Sequence, residues 1–354
     1  MREIKRNKVL VAPLNWGLGH VSRCIPIVNF LIENNYEPVI ASDGDALVFF
    51  RKEFPSLESV ELPSYGIRYS KKEYGLKLRL FASFFFIRKA VQQENLFVEK
   101  FVNVDEYVGI ISDNRFGVYH SNIPSVYVTH QLKVFSGITT KITSIFHQKI
   151  IAKFDECWVP DIDEENNLGG ELSQSSNSIS IPIKFIGNLS RLTLKKLPKM
   201  FDLLVLLSGP EPQRSLLENK LLLVLENYQG KIAFVRGVVS PTHQIEDLPN
   251  RKVFDFLMSK ELETIINQSD MVVCRSGYSS LMDLKKLEKK AFFIPTPGQT
   301  EQEYLAKTMK EKNIADFCTQ SDFNLSKITA SNSFTGFSNS NTSVLNKELL
   351  ALFK

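Results

Sequence analysis

The sequence contains little cysteine and no long hydrophobic run. Its four cysteines, Cys24, Cys157, Cys274 and Cys318, lie far apart without a C-x-x-C pair. Neither a zinc site nor a disulfide framework is expected, and a reducing compartment is favoured. No apolar run reaches about 18 residues, so no transmembrane helix is expected, and the basic N-terminus lacks the apolar region of a signal peptide. The net charge of +4 is too mild to indicate a nucleic-acid partner. We therefore expect a cytoplasmic protein that binds no nucleic acid.

What the chain does contain is two series of alternating strand and helix patterns, and 354 residues favour two domains. In the first series, strand patterns occur at 9–13, 37–42, 57–63, 107–113 and 124–130, with helical patterns at 20–35 and 45–54. The second series runs from a strand at 203–209 to a helix at 301–313. Apolar strands that alternate with helices predict an α/β fold with doubly wound parallel sheets. We place an N-terminal domain at 1–195, a C-terminal domain at 196–340 and a terminal helix that docks back at 341–354.

Unusual residues follow the predicted strands of the second series. Arg275, Ser276 and Gly277 come directly after the strand pattern MVVC and open a helix. The free amides and the positive dipole end of a helix start favour a phosphate there. Asp283, nearly two turns further, is placed to accept hydrogen bonds from a ribose diol. The alternative is a helix capped by Ser276 and a surface aspartate.

Two other strand ends show similar features. Ser208 and Gly209 end a strand pattern and are suited to a phosphate, with Arg214 as a counter-charge. Glu301 and Gln302 begin a helix after the segment PTPGQT, and a carboxylate beside an amide can bind the vicinal hydroxyls of a sugar. The alternative there is a common capping pattern. Because ligands of open α/β sheets bind beyond the carboxyl ends of the strands, two such domains imply a ligand cleft between them.

The order R-S-G-Y-S-S-L-M-D, followed by P-T-P-G-Q-T-E-Q-x-x-x-A, resembles the sugar-nucleotide half of GT-B glycosyltransferases. It is most similar to family 28, which includes the bacterial enzyme that adds N-acetylglucosamine to a lipid-linked muropeptide; the related UDP-glucosyltransferases share the plan. The resemblance spans both halves of the chain. It implies a GT-B fold, with two Rossmann-like domains facing across a cleft. It also implies a nucleotide-diphosphate sugar donor, expected to be UDP-linked, and transfer with inversion at the anomeric carbon. No cofactor and no metal are expected.

Family roles carry over by position in this half. Ser276 and Gly277 match the phosphate-binding turn, and Asp283 takes the place of a ribose-binding glutamate. Glu301 and Gln302 match the pair that binds sugar hydroxyls. The other residues predicted to contact the donor are Gly19, Ser208, Gly209, Arg214, Leu257, Arg275 and Ser280.

The stretch N-W-G-L-G-H, which ends at His20, resembles the glycine-rich first loop of the superfamily. In UDP-glucosyltransferases this histidine deprotonates the acceptor hydroxyl, so His20 is the predicted catalytic base. An unperturbed histidine pKa of about 6.5 allows it to accept a proton near neutral pH. A carboxylate usually orients such a base, and Asp113 is the best candidate, with Asn114, Arg115 and Gly117 expected on the same cleft edge. The alternatives are a helix-start histidine without a role and a strand-end cap.

Three other functions remain open at this point. The spacing G17-x-G19-x-x-S22 approximates a dinucleotide fingerprint with Asp43 as its acid, but the third glycine is missing. Sugar-nucleotide 2-epimerases share the GT-B architecture and would need no acceptor. A non-catalytic nucleotide-sugar-binding subunit would keep the donor site alone.

The segment 64–101 mixes lysine and arginine with several phenylalanines. An amphipathic basic and aromatic stretch can lie on an anionic membrane surface. We therefore predict peripheral membrane contact through this segment, at the inner face of the plasma membrane, which would suit a lipid-linked acceptor. The alternative is a helix packed on the sheet with a basic outer face.

Overall fold

A computed structural model describes residues 7–65, 84–137, 140–174, 179–209, 211–239, 243–338 and 345–354. They form two compact units. Unit 1 comprises the described residues up to Leu189 together with 345–354, and unit 2 comprises those from Ser190 to 338. Residues 66–83 of the predicted membrane segment lie outside the described residues. No helix in the described ranges has the length and apolar character needed to cross a membrane.

Unit 1 contains a parallel sheet of seven strands in the order β3-β2-β1-β4-β5-β6-β7. The strands are β1 Lys8–Pro13, β2 Glu37–Ser42, β3 Ser59–Glu61, β4 Tyr107–Asp113, β5 Ser125–Val128, β6 Glu156–Val159 and β7 Ile183–Phe185. The helices are α1 Leu18–Glu33, α2 Gly44–Glu53, α3 Phe84–Phe101 and α4 Thr140–Ile151. Because neighbouring strands are parallel, their carboxyl ends meet at one edge of the sheet. At that edge Pro13 of β1 is in register with Asp113 of β4.

The hydrophobic pattern explains how α1 packs. Val21, Cys24, Val28 and Leu31 are buried at a spacing of three or four residues, which is the period of one helix face. Gly17 precedes the helix at φ 80°, a conformation that favours glycine. The sharp turn between β1 and α1 therefore brings the first turn of α1 to the carboxyl edge of the sheet.

The C-terminal segment packs on unit 1. Lys347–Phe353 forms a 3₁₀ helix, and Phe353 is buried with its ring 6.3 Å from the ring of Trp158. A side chain at Gly109 of β4 would come within 2.4 Å of the Phe353 ring. The glycine thus lets the terminal aromatic residue lie directly against the sheet.

Unit 2 contains a parallel sheet of six strands in the order β10-β9-β8-β11-β12-β13. The strands are β8 Phe201–Leu206, β9 Ile232–Val235, β10 Arg251–Phe254, β11 Ser269–Cys274, β12 Lys290–Phe293 and β13 Asp316–Phe317. The helices are α5 Gln213–Val224, α6 Ser259–Asn267, α7 Tyr278–Lys286, α8 Thr300–Glu311 and α9 Leu325–Ala330. Strand β11 lies between β8 and β12, so the loops that follow these three strands are neighbours.

Most predicted elements are confirmed within a few residues. The strand predicted at 107–113 is β4 itself, and the helix predicted at 20–35 is α1 shifted by two residues. The sequence analysis did not predict β6 or α4; α4 carries apolar residues on both its buried and its exposed faces.

Candidate active site

His20 and Asp113 meet at the carboxyl edge of the unit 1 sheet. His20 lies in the first turn of α1, and Asp113 is the last residue of β4. The His20 Nδ1 atom is 2.7 Å from Asp113 Oδ1. The Asp113 side chain is fully buried, whereas 16% of the His20 side chain is exposed. The structure therefore places the predicted base against its predicted carboxylate partner.

Arg23 also contacts this pair, although the sequence analysis did not predict it. Its Nε donates to Asp113 Oδ2 over 2.5 Å, and its Nη2 donates to Asp113 Oδ1. The same Nη2 lies 2.8 Å from His20 Nδ1, while Nη1 donates to His130 Nδ1 over 3.0 Å. The signal in the sequence was the spacing of three residues between His20 and Arg23, which puts both on one side of a helix.

The charges of Arg23, His20 and Asp113 determine the protonation states of the carboxylate and the imidazole. Burial raises the pKa of Asp113, but the Arg23 guanidinium and His20 outweigh burial and hold that pKa well below its ordinary value. Burial and the charge of Arg23 lower the pKa of His20, and Asp113 offsets them only in part. At neutral pH the carboxylate is therefore ionised and the imidazole is neutral.

The hydrogen bonds assign the tautomer of His20. An ionised carboxylate only accepts, so at 2.7 Å the proton of the imidazole belongs on Nδ1. Arg23 Nη2, 2.8 Å from the same nitrogen, then contacts it without a hydrogen bond, because both atoms are donors. The Nε2 atom then carries a lone pair, which is the form that a general base requires.

A second chain of polar contacts extends this group. The Tyr127 hydroxyl donates to Asn114 Oδ1 over 3.1 Å and lies 3.1 Å from His147 Nε2, and Asn114 Nδ2 is 3.4 Å from Asp113 Oδ1. Burial lowers the pKa of His147 to about 4, so this imidazole is neutral and donates through Nε2. We call His20, Arg23, Asp113, Asn114, Tyr127, His130 and His147 the histidine cluster; it holds three of the five histidines of the chain.

Arg115 is buried and does not form an open edge of a site, contrary to the sequence prediction. Its guanidinium donates to Glu94 over 2.5 Å and to Asp43 over 2.7 Å. The Tyr65 hydroxyl donates to Glu94 over 2.6 Å. Asp43 is buried and also accepts a bond from Asn15. The acid that a dinucleotide-binding interpretation needs is thus committed to a structural ion network, which counts against that interpretation.

In unit 2, the loops after β11 and β12 are bonded to each other. The Ser276 hydroxyl donates to the backbone oxygen of Gln302 over 2.7 Å. The side-chain oxygen of Gln302 accepts from the Thr296 amide over 2.8 Å. The predicted phosphate turn and the predicted sugar-binding pair therefore lie side by side, with Glu301 half-buried in the first turn of α8.

The start of α7 has the properties of an anion site. Gly277 is its N-cap, and no side chain caps the helix. A side chain added at Gly277 would meet only Ser280 Oγ, at 3.9 Å. The neighbouring loop after β8 contains Gly209 at φ 101°, where an added side chain would meet nothing within 4 Å. Both glycines thus leave space beside backbone amides, as phosphate binding requires.

Arg275 is buried beneath this turn and braces three loops. Its donors reach the backbone oxygens of Ile294 and Pro295 at 2.9 Å and that of Gln213 at 3.0 Å. Among the described residues, no carboxylate lies within salt-bridge distance of it. Burial lowers the pKa of Arg275 to about 10, so the group stays cationic at neutral pH. Its guanidinium is engaged by these backbone oxygens, and its charge favours an anion at the start of α7.

Arg214, predicted as the counter-charge of a phosphate, contacts two glutamates around the start of α5. It is buried, donates to Glu211 over 2.6 Å and forms an ion pair with Glu218. Its positive charge is therefore already paired within unit 2, which weakens its assignment as the counter-charge of a phosphate.

The side chains predicted to contact the ribose and the nucleobase are already hydrogen-bonded or buried within unit 2. Asp283 Oδ1 accepts from Ser190 Oγ over 2.5 Å, and burial raises the pKa of Asp283 despite the nearby charge of Arg191. Leu257, three residues after β10, is buried, so only its backbone is suited to contact a nucleobase.

Asp161, the first aspartate of the D-x-D sequence at 161–163, organises the loop after β6. Its carboxylate accepts from the amides of Ile162, Leu168 and Gly169 at 2.8 to 3.1 Å and from the Ser173 hydroxyl at 2.8 Å. These bonds give Asp161 a structural role. Within the described ranges, no group of three or more potential metal ligands comes together.

Comparison with known proteins identifies the fold. Residues 217–333 match the model of the glycosyltransferase family 28 C-terminal domain. Three similar solved structures are Acinetobacter baumannii MurG (12% identity, 99% of each chain, TM-score 0.54), LpCGTa in complex with UDP (11%, 93% of this chain and 90% of that one, 0.57) and the spinosyn rhamnosyltransferase SpnG complexed with thymidine diphosphate (14%, 88% and 86%, 0.55). No curated protein sequence matches the chain.

These similarities confirm the predicted GT-B fold. The family model lies entirely in unit 2, where the motifs R-S-G and P-T-P-G-Q-T-E-Q occur. Together the family model and the solved structures support a glycosyltransferase. Solved structures at such low identity show the fold, and they do not identify the donor, the acceptor or the stereochemical course.

Proposed function

We propose that the protein is an inverting glycosyltransferase that moves a sugar from a nucleotide-diphosphate donor, a UDP-sugar, to a hydroxyl acceptor. The contact that carries this proposal is His20 Nδ1 on the buried Asp113 carboxylate, at 2.7 Å. It gives a neutral imidazole with a free Nε2 lone pair on the first loop of a GT-B fold. The base belongs to unit 1, and the predicted donor-binding residues belong mainly to unit 2.

In this reaction the acceptor oxygen attacks the anomeric carbon while the bond from that carbon to the diphosphate breaks. His20 Nε2 takes the acceptor proton, and Asp113 stabilises the resulting imidazolium. The departing diphosphate gains negative charge. The amides at the start of α7 and the buried charge of Arg275 would stabilise it, so we propose that neither a metal ion nor a cofactor is needed. Full activity in the presence of EDTA would agree with this, and loss that Mg²⁺ restores would contradict it.

The phosphate site is tested by Gly277→Val. A Cβ at this position would meet nothing closer than Ser280 Oγ, at 3.9 Å, but the valine side chain would occupy the space that a phosphate needs beside the α7 amides. We expect UDP to bind this variant at least tenfold more weakly, with the melting temperature of the free protein nearly unchanged. Isothermal titration with UDP and with thymidine diphosphate, both present in structures of similar fold, also identifies the preferred base. Unaltered affinity for both nucleotides would remove the phosphate from this turn.

The alternatives are separated by product analysis. An epimerase converts the donor sugar without acceptor, whereas a transferase releases free nucleotide diphosphate only when an acceptor hydroxyl or water is consumed. A binding subunit would hold the nucleotide and produce neither change. Mass spectrometry of donor incubated with and without an acceptor mixture distinguishes these three outcomes.

We further propose that the protein acts in the cytoplasm and that unit 1 contacts an anionic membrane surface. The contact predicted through 64–101 stays a prediction. Within the described part of that segment, Ala90, Glu94 and Val98 face the protein interior. Helix α4 exposes apolar side chains that suit contact with a membrane surface. Ile142, Ile145 and Phe146 are 72%, 54% and 48% exposed.

The charges around α4 favour an anionic lipid surface. Lys141 and Lys149 are exposed on the helix, as is Lys153 after it, and no aspartate or glutamate occurs from 114 to 154. Exposed apolar residues among lysines suit an amphipathic helix at an anionic interface.

Vesicle binding tests this surface. We expect the double variant Ile145→Ser, Phe146→Ser to lose most of its sedimentation with phosphatidylglycerol vesicles, because the apolar residues no longer enter the interface. The matched control is Leu223→Ser, which replaces a residue 71% exposed on α5 of unit 2. Equal sedimentation of both variants, or binding to neutral vesicles only, would contradict the proposal.

A further inference from the structure

We propose that Arg23 is a positioning residue whose guanidinium aligns Asp113 with His20 and whose positive charge opposes protonation of the His20 imidazole. The inference rests on the proposed role of His20 as the base. It concerns a residue that neither the strand-end motifs nor the family resemblance singled out.

The geometry gives Arg23 three simultaneous contacts. Nε and Nη2 hold the two oxygens of Asp113 in a bidentate pair, which fixes the plane of the carboxylate. The fixed carboxylate presents Oδ1 to His20 Nδ1 at 2.7 Å. Nη1 donates to His130 Nδ1 at 3.0 Å. Because a guanidinium only donates, His130 Nδ1 accepts in this contact.

The charges that face His20 come from three elements. Arg23 lies on α1, Asp113 ends β4, and His130 follows β5; the Cys24 thiol, also on α1, is bonded to Asp113 at 3.4 Å. A carboxylate alone beside an imidazole would favour the imidazolium. Burial is the largest influence that disfavours the imidazolium, and a guanidinium 2.8 Å from the same imidazole nitrogen opposes it as well. The result is a pKa of His20 below its ordinary value.

Arg23 affects the pH dependence of catalysis through the pKa of His20. A general base is active only in its unprotonated form, so the rate falls as the pH drops through the pKa of His20. Lowering that pKa moves the acid limb of the pH–rate profile to lower pH. Removing the positive charge of Arg23 should therefore raise the pKa and move the acid limb to higher pH.

The test compares Arg23→Gln with Arg23→Lys in the full-length protein. For the Gln variant we expect the His20 pKa and the acid limb of kcat/KM to rise by about one unit. At pH values below both the wild-type and the variant pKa, the variant should then lose about tenfold more rate than it loses at pH 8.5. The Lys variant keeps the charge but loses the bidentate pair, so its acid limb should stay in place while its rate falls at every pH. NMR titration of the His20 ring, assigned with His20→Gln, reports the pKa without any activity.

A purely structural role for Arg23 would lower the rate of the Gln variant equally at all pH values, and that result overturns the inference. A wild-type His20 pKa at or above about 6.5 overturns it as well, and this measurement needs no variant, should Arg23→Gln fail to fold. The two proposals fail separately: a shifted His20 titration without sugar transfer by the wild type would refute the proposed function alone.

Discussion

The His20→Gln enzyme is expected to transfer sugar about 10²–10⁴ times more slowly than the wild type. Glutamine retains a polar group of similar reach, but it cannot accept the acceptor proton. Because His20 belongs to unit 1 and the predicted donor contacts belong mainly to unit 2, we expect nucleotide affinity to be unchanged. Initial rates with saturating donor and calorimetric titration of UDP measure the two quantities.

Asp113→Asn should lower the rate for a different reason. The amide cannot stabilise the imidazolium as a carboxylate does, and its NH₂ group can turn towards His20 and favour the wrong tautomer.

The matched control is His120→Gln, because His120 precedes β5 on the opposite edge of the unit 1 sheet and pairs with Glu99. A rate for His20→Gln within a few-fold of that control would rule out His20 as the base.

The contact between His20 and Asp113 could be predicted because it depends only on chain order and sheet topology. A histidine that opens the helix after β1 and an aspartate that ends β4 meet when β1 and β4 are neighbours. Parallel strands with intervening helices follow from the periodicity of the sequence. The Ser276–Gln302 contact was not predicted, but it follows the same rule, since it joins segments that follow the adjacent strands β11 and β12.

Chain order and sheet topology do not reveal which arginines are already paired with a carboxylate. Whether a cation is free for a ligand depends on carboxylates that lie far away in the chain. Arg115 is 72 residues from Asp43, and nothing local in the sequence indicates that the two are paired. Arg214 shows the same problem at short range: Glu218 lies one helical turn later, and only the burial of both side chains reveals a committed pair. The role of Arg23 was not predicted because an arginine within a helix is more often on the exposed face.

The fold around the histidine cluster depends on the second buried ion network, so Arg115→Met is expected to destabilise unit 1 by about 3–5 kcal/mol. Arg115, Asp43 and Glu94 are all buried, with Arg115 between the two carboxylates at 2.5 and 2.7 Å. Methionine fills much of the same volume but leaves two buried anions without their cation. Chemical denaturation monitored by circular dichroism gives the change in the free energy of unfolding.

The matched control is Arg51→Met, because Arg51 is an exposed residue of α2 whose guanidinium bonds Ser59 at the surface. That variant should change stability by no more than about 0.5 kcal/mol. The double variant Arg115→Met, Glu94→Gln should recover part of the loss, since it removes one of the two stranded charges. If Arg115→Met were as stable as Arg51→Met, the buried ions would contribute nothing to the fold. The position of Asp113, two residues before Arg115, would then have to be fixed by β4 alone.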